Sequence, residues 1–394
     1  MRLKHVQYLI FFVIFAISCS SDEKKNDDVP FIDVSKTYPE KELIITDFAD
    51  VSYVHLNTDD EDYLYKGSVL CVTKNTYVVN DKSSGSVLFF SRDGIPKSRF
   101  NRLGQGPEEY ISFDRIIYDE ETDDVFVIDA YGSNNNQYVQ VYSSTGEYKR
   151  KITMPQNARL QSLVSFDDKS LFVFAEEFHA AAYSRIKWGK DVSCITTYYR
   201  ISKLNGEILD SFELISNEVV LAIQRGSTVI RKLYSRLAKG VDGLFLCNPE
   251  TDTVFYYTGD KPLIPVFHKI PLVRNQDPKV VIPNILDGGR YMFFSIEALV
   301  IKSQDICYFM DKETGEIFKQ KLILHDFKGK EFEIFVSVYM LDTGDRIGYI
   351  YELELSELKE AYKENRLSGK LKELVATLNE DKDNNVFMLV NFKK

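Results

Sequence analysis

The chain has 394 residues, of which 44% are hydrophobic and 13% aromatic, so it can bury a large core. Its 27 Phe and 24 Tyr residues favour strands over helices. A formal net charge of −10 argues against binding to nucleic acid or to an anionic membrane surface, since both need clustered Lys and Arg.

The chain begins with a predicted secretory signal. Arg2 and Lys4 precede about ten apolar residues, roughly half the length of a membrane-spanning helix. The segment Ala16–Cys19 resembles the lipobox of bacterial lipoproteins, in which the cysteine becomes the lipidated first residue of the mature chain. We therefore expect residues 1–18 to be removed and Cys19 to carry a lipid anchor. An ordinary signal peptide with an incidental cysteine is the alternative.

A flexible tether is predicted for residues 19–40, because the residues directly after Cys19 are almost all polar and cannot bury enough surface to order. The segment Ser20–Glu23 resembles the acidic export signal that sends some outer-membrane lipoproteins to the cell surface. We expect an outer-membrane lipoprotein that is displayed on the surface, with a periplasm-facing anchor as the alternative. The folded domain is predicted to span residues 41–394.

The folded domain shows a repeat of about 55 residues, marked by glycines in predicted hairpin turns. Successive glycines are 52 to 60 residues apart. They are Gly94, Gly146, Gly206, Gly259 and Gly315. A repeat of this length with four strands is typical of a β-propeller blade, and six such repeats fit the chain. The sequence therefore predicts an all-β fold, a six-bladed β-propeller of four-stranded blades, with a pair of β-sandwiches as the alternative.

Ring closure is predicted from the first strand of the domain. Val51–Leu56 precedes the first complete hairpin and has no partner nearby in sequence. We expect residues 41–57 to pair with the C-terminal blade, because closure removes the exposed edges of an open sheet.

The segment Arg102–Tyr110 is predicted to form the corner between the first two blades. Pro107 stiffens this segment, and its glycines allow close approach of the backbone. A required corner is the structural interpretation. The functional alternative is ligand binding through Gln105, Glu108 and Tyr110 at the mouth of the channel.

Two longer loops are predicted at the same end of the ring. The first, Asp129–Gln137, contributes Asn134 and Asn136, and the second, Glu176–Cys194, contributes Arg185 and the only tryptophan, Trp188. A ring flanked by amide and guanidinium groups is typical of sugar-binding surfaces. Packing of the tryptophan onto its own blade is the alternative.

Calcium binding is an alternative role for the first of these loops. Asn134 to Asn136 with Asp129 would offer oxygen ligands, but the acidic spacing of an EF-hand is absent. We therefore predict neither a metal ion nor another cofactor.

The last repeat is irregular. Apolar residues between Leu355 and Leu378 recur every three or four positions and are interrupted at Ser368–Gly369, a pattern that predicts two short amphipathic helices. We expect these helices to pack on the propeller, with binding of a partner protein as the alternative.

The cysteines and the known catalytic motifs give no sign of a reaction. Cys71, Cys247 and Cys307 lie in apolar runs, which favours buried free thiols, and disulfides that include Cys194 are the alternative. The sequence has no Cys-x-x-Cys pair, nucleophile elbow, zinc-protease helix or phosphate-binding loop. A non-catalytic protein is therefore expected.

The segment Arg102–Tyr110 resembles the Gly-x-Gly-Pro-x-Glu-Tyr hallmark of the six-bladed β-propeller lipoproteins of gut Gram-negative anaerobes, whose shape is NHL-like. Val51–Leu56 is similar to the opening strand of that family. The segment Glu380–Val386 is similar to its Asp-Asn-Pro-Val ending, with Asn385 in place of the proline. The resemblance implies six blades and lipidation, and it implies little about function.

These features together predict a monomeric, lipid-anchored binding module. Its expected partner is a glycan, a peptide or an envelope protein, held by loops at the mouth of the channel. A glycan-active hydrolase or lyase and a scaffold in an envelope complex are the alternatives.

Overall fold

The computed structural model describes residues 29–393 apart from several gaps. The gaps are residues 59, 82, 114, 129–137, 178–193, 217–221, 226–227, 232–235, 260–261, 301–304, 335–340, 343–346 and 381.

Three N-terminal strands join sheets that are formed much later in the chain. They are β1 (Phe31–Asp33), β2 (Glu40–Ile44) and β3 (Ala49–His55), with the one-turn helix α1 (Ile45–Phe48) directly before β3. Short 3-10 helices lie at Glu61–Tyr63, Leu160–Ser162 and Val273–Asn275.

Sheets I to III follow in chain order, and each has four antiparallel strands. Sheet I contains β4 (Val69–Val72), β5 (Thr76–Asp81), β6 (Ser86–Ser91) and β7 (Pro96–Phe100). Sheet II contains β8 (Arg115–Asp119), β9 (Asp124–Ile128), β10 (Tyr138–Tyr142) and β11 (Tyr148–Thr153). Sheet III contains β12 (Val164–Ser165), β13 (Ser170–Glu177), β14 (Cys194–Ser202) and β15 (Ile208–Ser216). The hairpin β16 (Ala222–Arg225) and β17 (Thr228–Arg231) comes next.

Sheets IV to VI include the N-terminal strands. Sheet IV contains β18 (Leu237–Lys239), β19 (Leu244–Leu246), β20 (Thr253–Tyr257) and β21 (Ile264–Ile270), with β1 as a fifth strand. Sheet V contains β22 (Val280–Val281), β23 (Ile285–Gly288), β24 (Tyr291–Ala298), β25 (Ile306–Asp311), β26 (Ile317–Ile323) and β27 (Glu331–Phe332), with β2 as a seventh strand. Sheet VI contains β28 (Leu341–Asp342), β29 (Ile347–Leu353) and β30 (Val386–Phe392), with β3 as its fourth strand.

These sheets are arranged around a common centre. Inner strands of several neighbouring sheets contact each other: β4 contacts β8, β18 contacts β23, and β28 of sheet VI contacts β4 of sheet I. Buried clusters connect sheet II with sheet III and sheet III with sheet IV. Four-stranded antiparallel sheets arranged in a closed ring define a β-propeller. The predicted all-β propeller fold with four-stranded blades is thus confirmed.

The ring closes through β3. This strand is the outer strand of sheet VI and pairs antiparallel with β30, with Val51 opposite Val390 and His55 opposite Val386. The interior of the junction is apolar, because Val54 and Leu56 pack in one buried cluster with Leu389. The predicted pairing of the Val51–Leu56 strand with the C-terminal blade is confirmed.

The folded part begins earlier than the predicted boundary at residue 41. Strand β1 pairs in parallel with the outer strand β21, and β2 pairs in parallel with the outer strand β26. Ile32 is fully buried and Val34 nearly so, and both belong to the core cluster between sheets IV and V. The ordered N-terminal segment thus covers the outer edges of two blades before it completes a third.

All five glycines of the repeat adopt positive φ angles, between 72° and 100°. They occupy the turns between the third and fourth strands of sheets I to V. At Gly146 a side chain would also collide with the fold, because an added Cβ would lie 2.4 Å from the Cβ of Phe100. The prediction that these glycines form hairpin turns is confirmed.

Two helices lie between β29 and β30, as the apolar spacing predicts. They are α2 (Leu355–Lys363) and α3 (Gly369–Thr377). Leu358 and Leu371 are fully buried in the core cluster that also contains Phe327 and Val386. The apolar faces of both helices therefore pack on the propeller itself, in agreement with the expected packing.

Among the described residues, Cys71, Cys247 and Cys307 are free thiols. Burial raises the pKa of Cys247 and of Cys307 to about 12, so both stay protonated at neutral pH. The side chain of Cys194 lies outside the described part of the structure. None of the helices described is both long enough and apolar enough to cross a bilayer.

Candidate functional site

A cleft of about 1010 Å³ opens at one end of the ring. It is lined mainly by the turns between the first and second strands of sheets I to IV, which we call the first turns. They are the β4–β5, β8–β9, β12–β13 and β18–β19 turns. We call this space the turn-side cleft. Because the first strands line the centre of the ring, the cleft lies at a mouth of the central channel.

The turn-side cleft lies at the opposite end of the ring from the predicted corner Arg102–Tyr110, because the corner precedes β8 and the β8–β9 turn follows that strand. Most of the other two predicted binding loops, residues 129–137 and 178–193, lies outside the described part of the structure. The sequence did offer a signal, because each first turn is polar. Examples are Thr73–Asn75 and Asp119–Asp124.

A nearly buried ion pair joins sheets II and III at the wall of the cleft. The Nζ atom of Lys203 lies 2.6 Å from Oδ2 of Asp119, and each side chain is only 10% exposed. Lys203 follows β14, and Asp119 ends β8. The mutual neutralisation of these two charges fixes the spacing of the two sheets.

A carboxylate from sheet II also binds sheet I. Glu120 accepts hydrogen bonds from the backbone N–H of Asn75 at 3.1 Å and from the hydroxyl of Thr76 at 2.5 Å. The ammonium of Lys97 lies 4.0 Å from the same carboxylate. Glu120 therefore stabilises the fold at this edge of the cleft.

Sheet III contributes a third ion pair, and both of its members belong to that sheet or its first turn. Arg200 and Asp167 are 2.5 Å apart, and the guanidinium lies 5.0 Å from the centre of the Phe166 ring. Burial acts to raise the pKa of Asp167, but hydrogen bonds from Ser170 and the charge of Arg200 outweigh it and lower the pKa below its usual value. The carboxylate is therefore ionised at neutral pH, and its partners Arg200 and Ser170 belong to the same blade.

Other charges in the cleft remain open to solvent. Lys74, Glu121 and Asp168 are exposed, and no side-chain partner for them occurs within the described residues. Asp242 is also exposed and accepts a hydrogen bond of 2.7 Å from the Tyr256 hydroxyl. These four residues are at or next to the tips of the four first turns, and we call them the tip charges.

The predicted corner Arg102–Tyr110 is held from inside by Tyr110. This residue is fully buried, and its hydroxyl donates to the carbonyl of Gly85 at 2.8 Å and accepts from the N–H of Arg102 at 3.1 Å. The carboxylate of Glu109 accepts from the N–H of Gly106 at 2.8 Å. Tyr110 therefore maintains the shape of the corner and does not face solvent.

Gln105 and Glu108 are exposed on the outside of the corner. The backbone beneath them is fixed, since the Tyr142 hydroxyl donates to the carbonyl of Glu108 at 3.0 Å. Gln140 donates to the carbonyl of Pro107 at 3.2 Å. Ligand binding by the two exposed side chains stays a prediction.

The remaining predicted site residues lie outside the described part of the structure. They are Cys19, Asn134, Asn136, Arg185 and Trp188. Within the described part, no group of three or more His, Cys, Asp or Glu side chains is arranged to hold a metal ion.

Comparison with known proteins gives a family and a fold. The profile of DUF4934, described as a domain of unknown function, matches residues 29–391. No curated protein matches the sequence. A solved structure from Bacteroides fragilis NCTC 9343, described as that of a presumed exported protein, is similar with a TM-score of 0.57 and 16% identity. The similarity covers 90% of this chain and 98% of that chain.

A second solved structure is similar at a lower level. It is the β-propeller domain of the Trilobed protease from Pyrococcus furiosus, with a TM-score of 0.30 and 11% identity. The match covers 77% of this chain and 91% of that domain.

Proposed function

This chain belongs to the DUF4934 family, and we propose that it is an exported, lipid-anchored binding protein that holds a polar ligand in the turn-side cleft without catalysing a reaction. The cleft itself carries the proposal. Its four first turns come from four successive sheets, and ion pairs such as Asp119–Lys203 hold these sheets together. The tip charges of the same turns remain exposed to solvent. A rigid concave site with a few open polar groups is the usual form of a binding site.

A binding role agrees better with the cleft than catalysis does. Three of its six carboxylates, those of Asp119, Glu120 and Asp167, are engaged by the fold. A general acid or base needs a pKa tuned towards neutrality, whereas the hydrogen bonds from Ser170 and the charge of Arg200 lower the pKa of Asp167 below its usual value. The polar groups of the cleft thus hold the blades together and attract a ligand.

The proposed location rests on the N-terminal sequence. We propose that Cys19 carries lipid and that about ten polar residues link it to Pro30, whose carbonyl accepts the N–H of His268 on β21. The anchor would then join the ring at the outer edge of sheet IV. An outer-membrane lipoprotein displayed on the cell surface is the arrangement that we propose.

We also propose that the ring has six blades. Sheets I to VI each supply four consecutive antiparallel strands, once β3 is counted with sheet VI. The extra strands β1, β2, β22 and β27 add to sheets IV and V and do not form a blade of their own.

Blocking the cleft is the direct test of the binding site. Val241 is 59% exposed at the tip of the β18–β19 turn and lines the cleft, so Val241→Trp adds bulk there without entering the core. We expect this change to weaken, by at least about 10-fold, the affinity for any ligand that residues 29–394 bind on a mixed glycan and peptide array.

The matched control for this blockage is Leu204→Trp. Leu204 is 72% exposed in the β14–β15 turn and does not line the cleft, so binding should be unchanged. If Val241→Trp has no effect while Gln105→Ala with Glu108→Ala abolishes binding, the site is the corner and the cleft is not used. Conversion of the bound ligand to a product would contradict the non-catalytic role.

Lipidation has its own test. We expect the full-length precursor expressed in a Bacteroides host to partition with the membrane fraction and to incorporate labelled fatty acid. Cys19→Ala should abolish the incorporation and release the chain into the soluble fraction, because the anchor supplies about 0.8 kcal/mol for each buried methylene. Unchanged membrane retention of the variant would refute the anchor, and Cys71→Ala serves as the control cysteine.

A further inference from the structure

We propose that the turn-side cleft binds an extended peptide that carries several Lys or Arg side chains. This inference rests on the function proposed above and names the class of its ligand. Three observations support this inference. The first is the order of the tip charges around the ring, and the second is that the other charged groups and the aromatic rings of the cleft already contact the fold. The third is the size of the cleft.

The tip charges follow one another in a definite order. Lys74 belongs to sheet I, Glu121 to sheet II, Asp168 to sheet III and Asp242 to sheet IV. Because these sheets are successive, the ring presents one positive charge and then three negative charges. A chain laid across the four turns finds complementary charge if its basic side chains lie over sheets II to IV. A carboxylate at its other end would meet Lys74.

Two cations of the cleft wall are paired with carboxylates other than those of the tip charges. Lys203 is paired with Asp119, and Arg200 is paired with Asp167. Lys239 also lines the cleft and is half-buried. With a net charge of −10 on the whole chain, the attraction for a cationic ligand extends beyond the cleft.

Stacking of sugar rings is less well supported. The aromatic side chains among the described lining residues are Tyr118 and Phe166. The Phe166 ring is covered by Arg200 and packs 5.6 Å from the ring of Tyr257. The Tyr118 ring packs edge-on 5.2 Å from Phe89. Both rings pack against other side chains of the protein. Among the described lining residues, the charged groups are therefore the main ones that can bind a ligand.

The size of the cleft agrees with an oligomeric ligand. A volume of about 1010 Å³ is at the upper limit of the roughly 300–1,000 Å³ that hold single drug-sized molecules. The four contributing turns are spread over four blades. Several residues of an extended chain can therefore contact different turns at the same time.

Fluorescence anisotropy with two labelled octapeptides tests the inference on residues 29–394. One peptide carries three Lys at alternate positions and a free carboxyl terminus, and the other has Glu in place of each Lys. We expect the basic peptide to bind at least about 10-fold more tightly than the acidic one in 50 mM salt. Its affinity should fall as salt is raised, because the tip charges are exposed.

Substitutions that remove the negative tip charges test whether these residues bind the basic peptide. Glu121→Gln with Asp168→Asn should weaken binding of the basic peptide about 3- to 10-fold. The matched control is Glu373→Gln with Glu380→Gln, which makes the same change in net charge at two exposed positions, one within α3 and one after it. That control should leave binding unchanged.

Equal weakening by the two double variants would overturn the inference. So would equal affinity for the two peptides, or no binding of either peptide. If spermine competes as well as the basic peptide does, the site recognises amines in general and the peptide class is wrong. A ligand from the array that is blocked by Val241→Trp but is not basic would sustain the proposed function while removing this inference.

Discussion

A chain that begins at Asn57 should lose its cooperative unfolding transition, whereas a chain that begins at Ile45 should keep one. The first deletion removes β3, the outer strand of sheet VI, whose seven residues pair with β30. It also removes the buried side chains of Phe48, Val54 and Leu56. Sheet VI would then have an open edge, and the ring would lose its closing contact between the two ends of the chain.

The deletion to Ile45 is the matched comparison. It removes β1 and β2 but leaves α1 and β3 in place. The main loss is the burial of Ile32 and Val34, each worth about 1.5–3 kcal/mol when fully buried. A domain of ordinary stability, about 5–15 kcal/mol, can lose this amount and remain folded, although with a lower melting temperature.

Calorimetry and urea unfolding of the chains that begin at residues 29, 45 and 57 would separate these cases. Loss of the thermal transition and of near-ultraviolet dichroism is expected only for the shortest chain. A cooperative transition of similar enthalpy in all three would show that the ring does not need β3 to hold its shape.

The features that could be predicted from the sequence depend on local chemistry. The turn glycines could be recognised because positive φ is a property of the residue itself, and all five have it. The helices between Leu355 and Leu378 could be recognised because their apolar residues recur at helical spacing. The closing strand Val51–Leu56 could be recognised because an apolar strand with no neighbouring hairpin needs a distant partner.

The features that were missed depend on neighbours that only the ring supplies. Strand β1 has three residues and forms because the outer edge of β21 is available, which no local pattern of Phe31–Asp33 reveals. The inward orientation of the Tyr110 side chain depends on its hydrogen bond to the carbonyl of Gly85, which lies 25 residues earlier in the chain. The turn-side cleft combines the tips of four repeats, and each tip by itself is an ordinary polar turn.

The largest effect of a single substitution is expected at Arg236. Its Nη2 atom lies 2.7 Å from Oε2 of Glu250, and the two side chains are only 4% and 1% exposed. Arg236 also donates to the hydroxyl of Thr196 at 2.7 Å, and its guanidinium lies 5.4 Å from the ring of Phe174. The pair therefore connects the strands of sheet III with the start of sheet IV.

Arg236→Met should lower the free energy of unfolding by about 3–5 kcal/mol, because it removes the guanidinium that lies 2.7 Å from the buried Glu250 carboxylate. The double variant Arg236→Met with Glu250→Leu should recover most of the loss, since neither charge then remains in the core. Arg99→Met breaks the exposed pair with Asp62 and should cost less than about 1 kcal/mol. Urea midpoints at constant m-value measure all three changes, and a double variant no more stable than the single one would show that loss of the Arg236–Glu250 charge pair is not the cause.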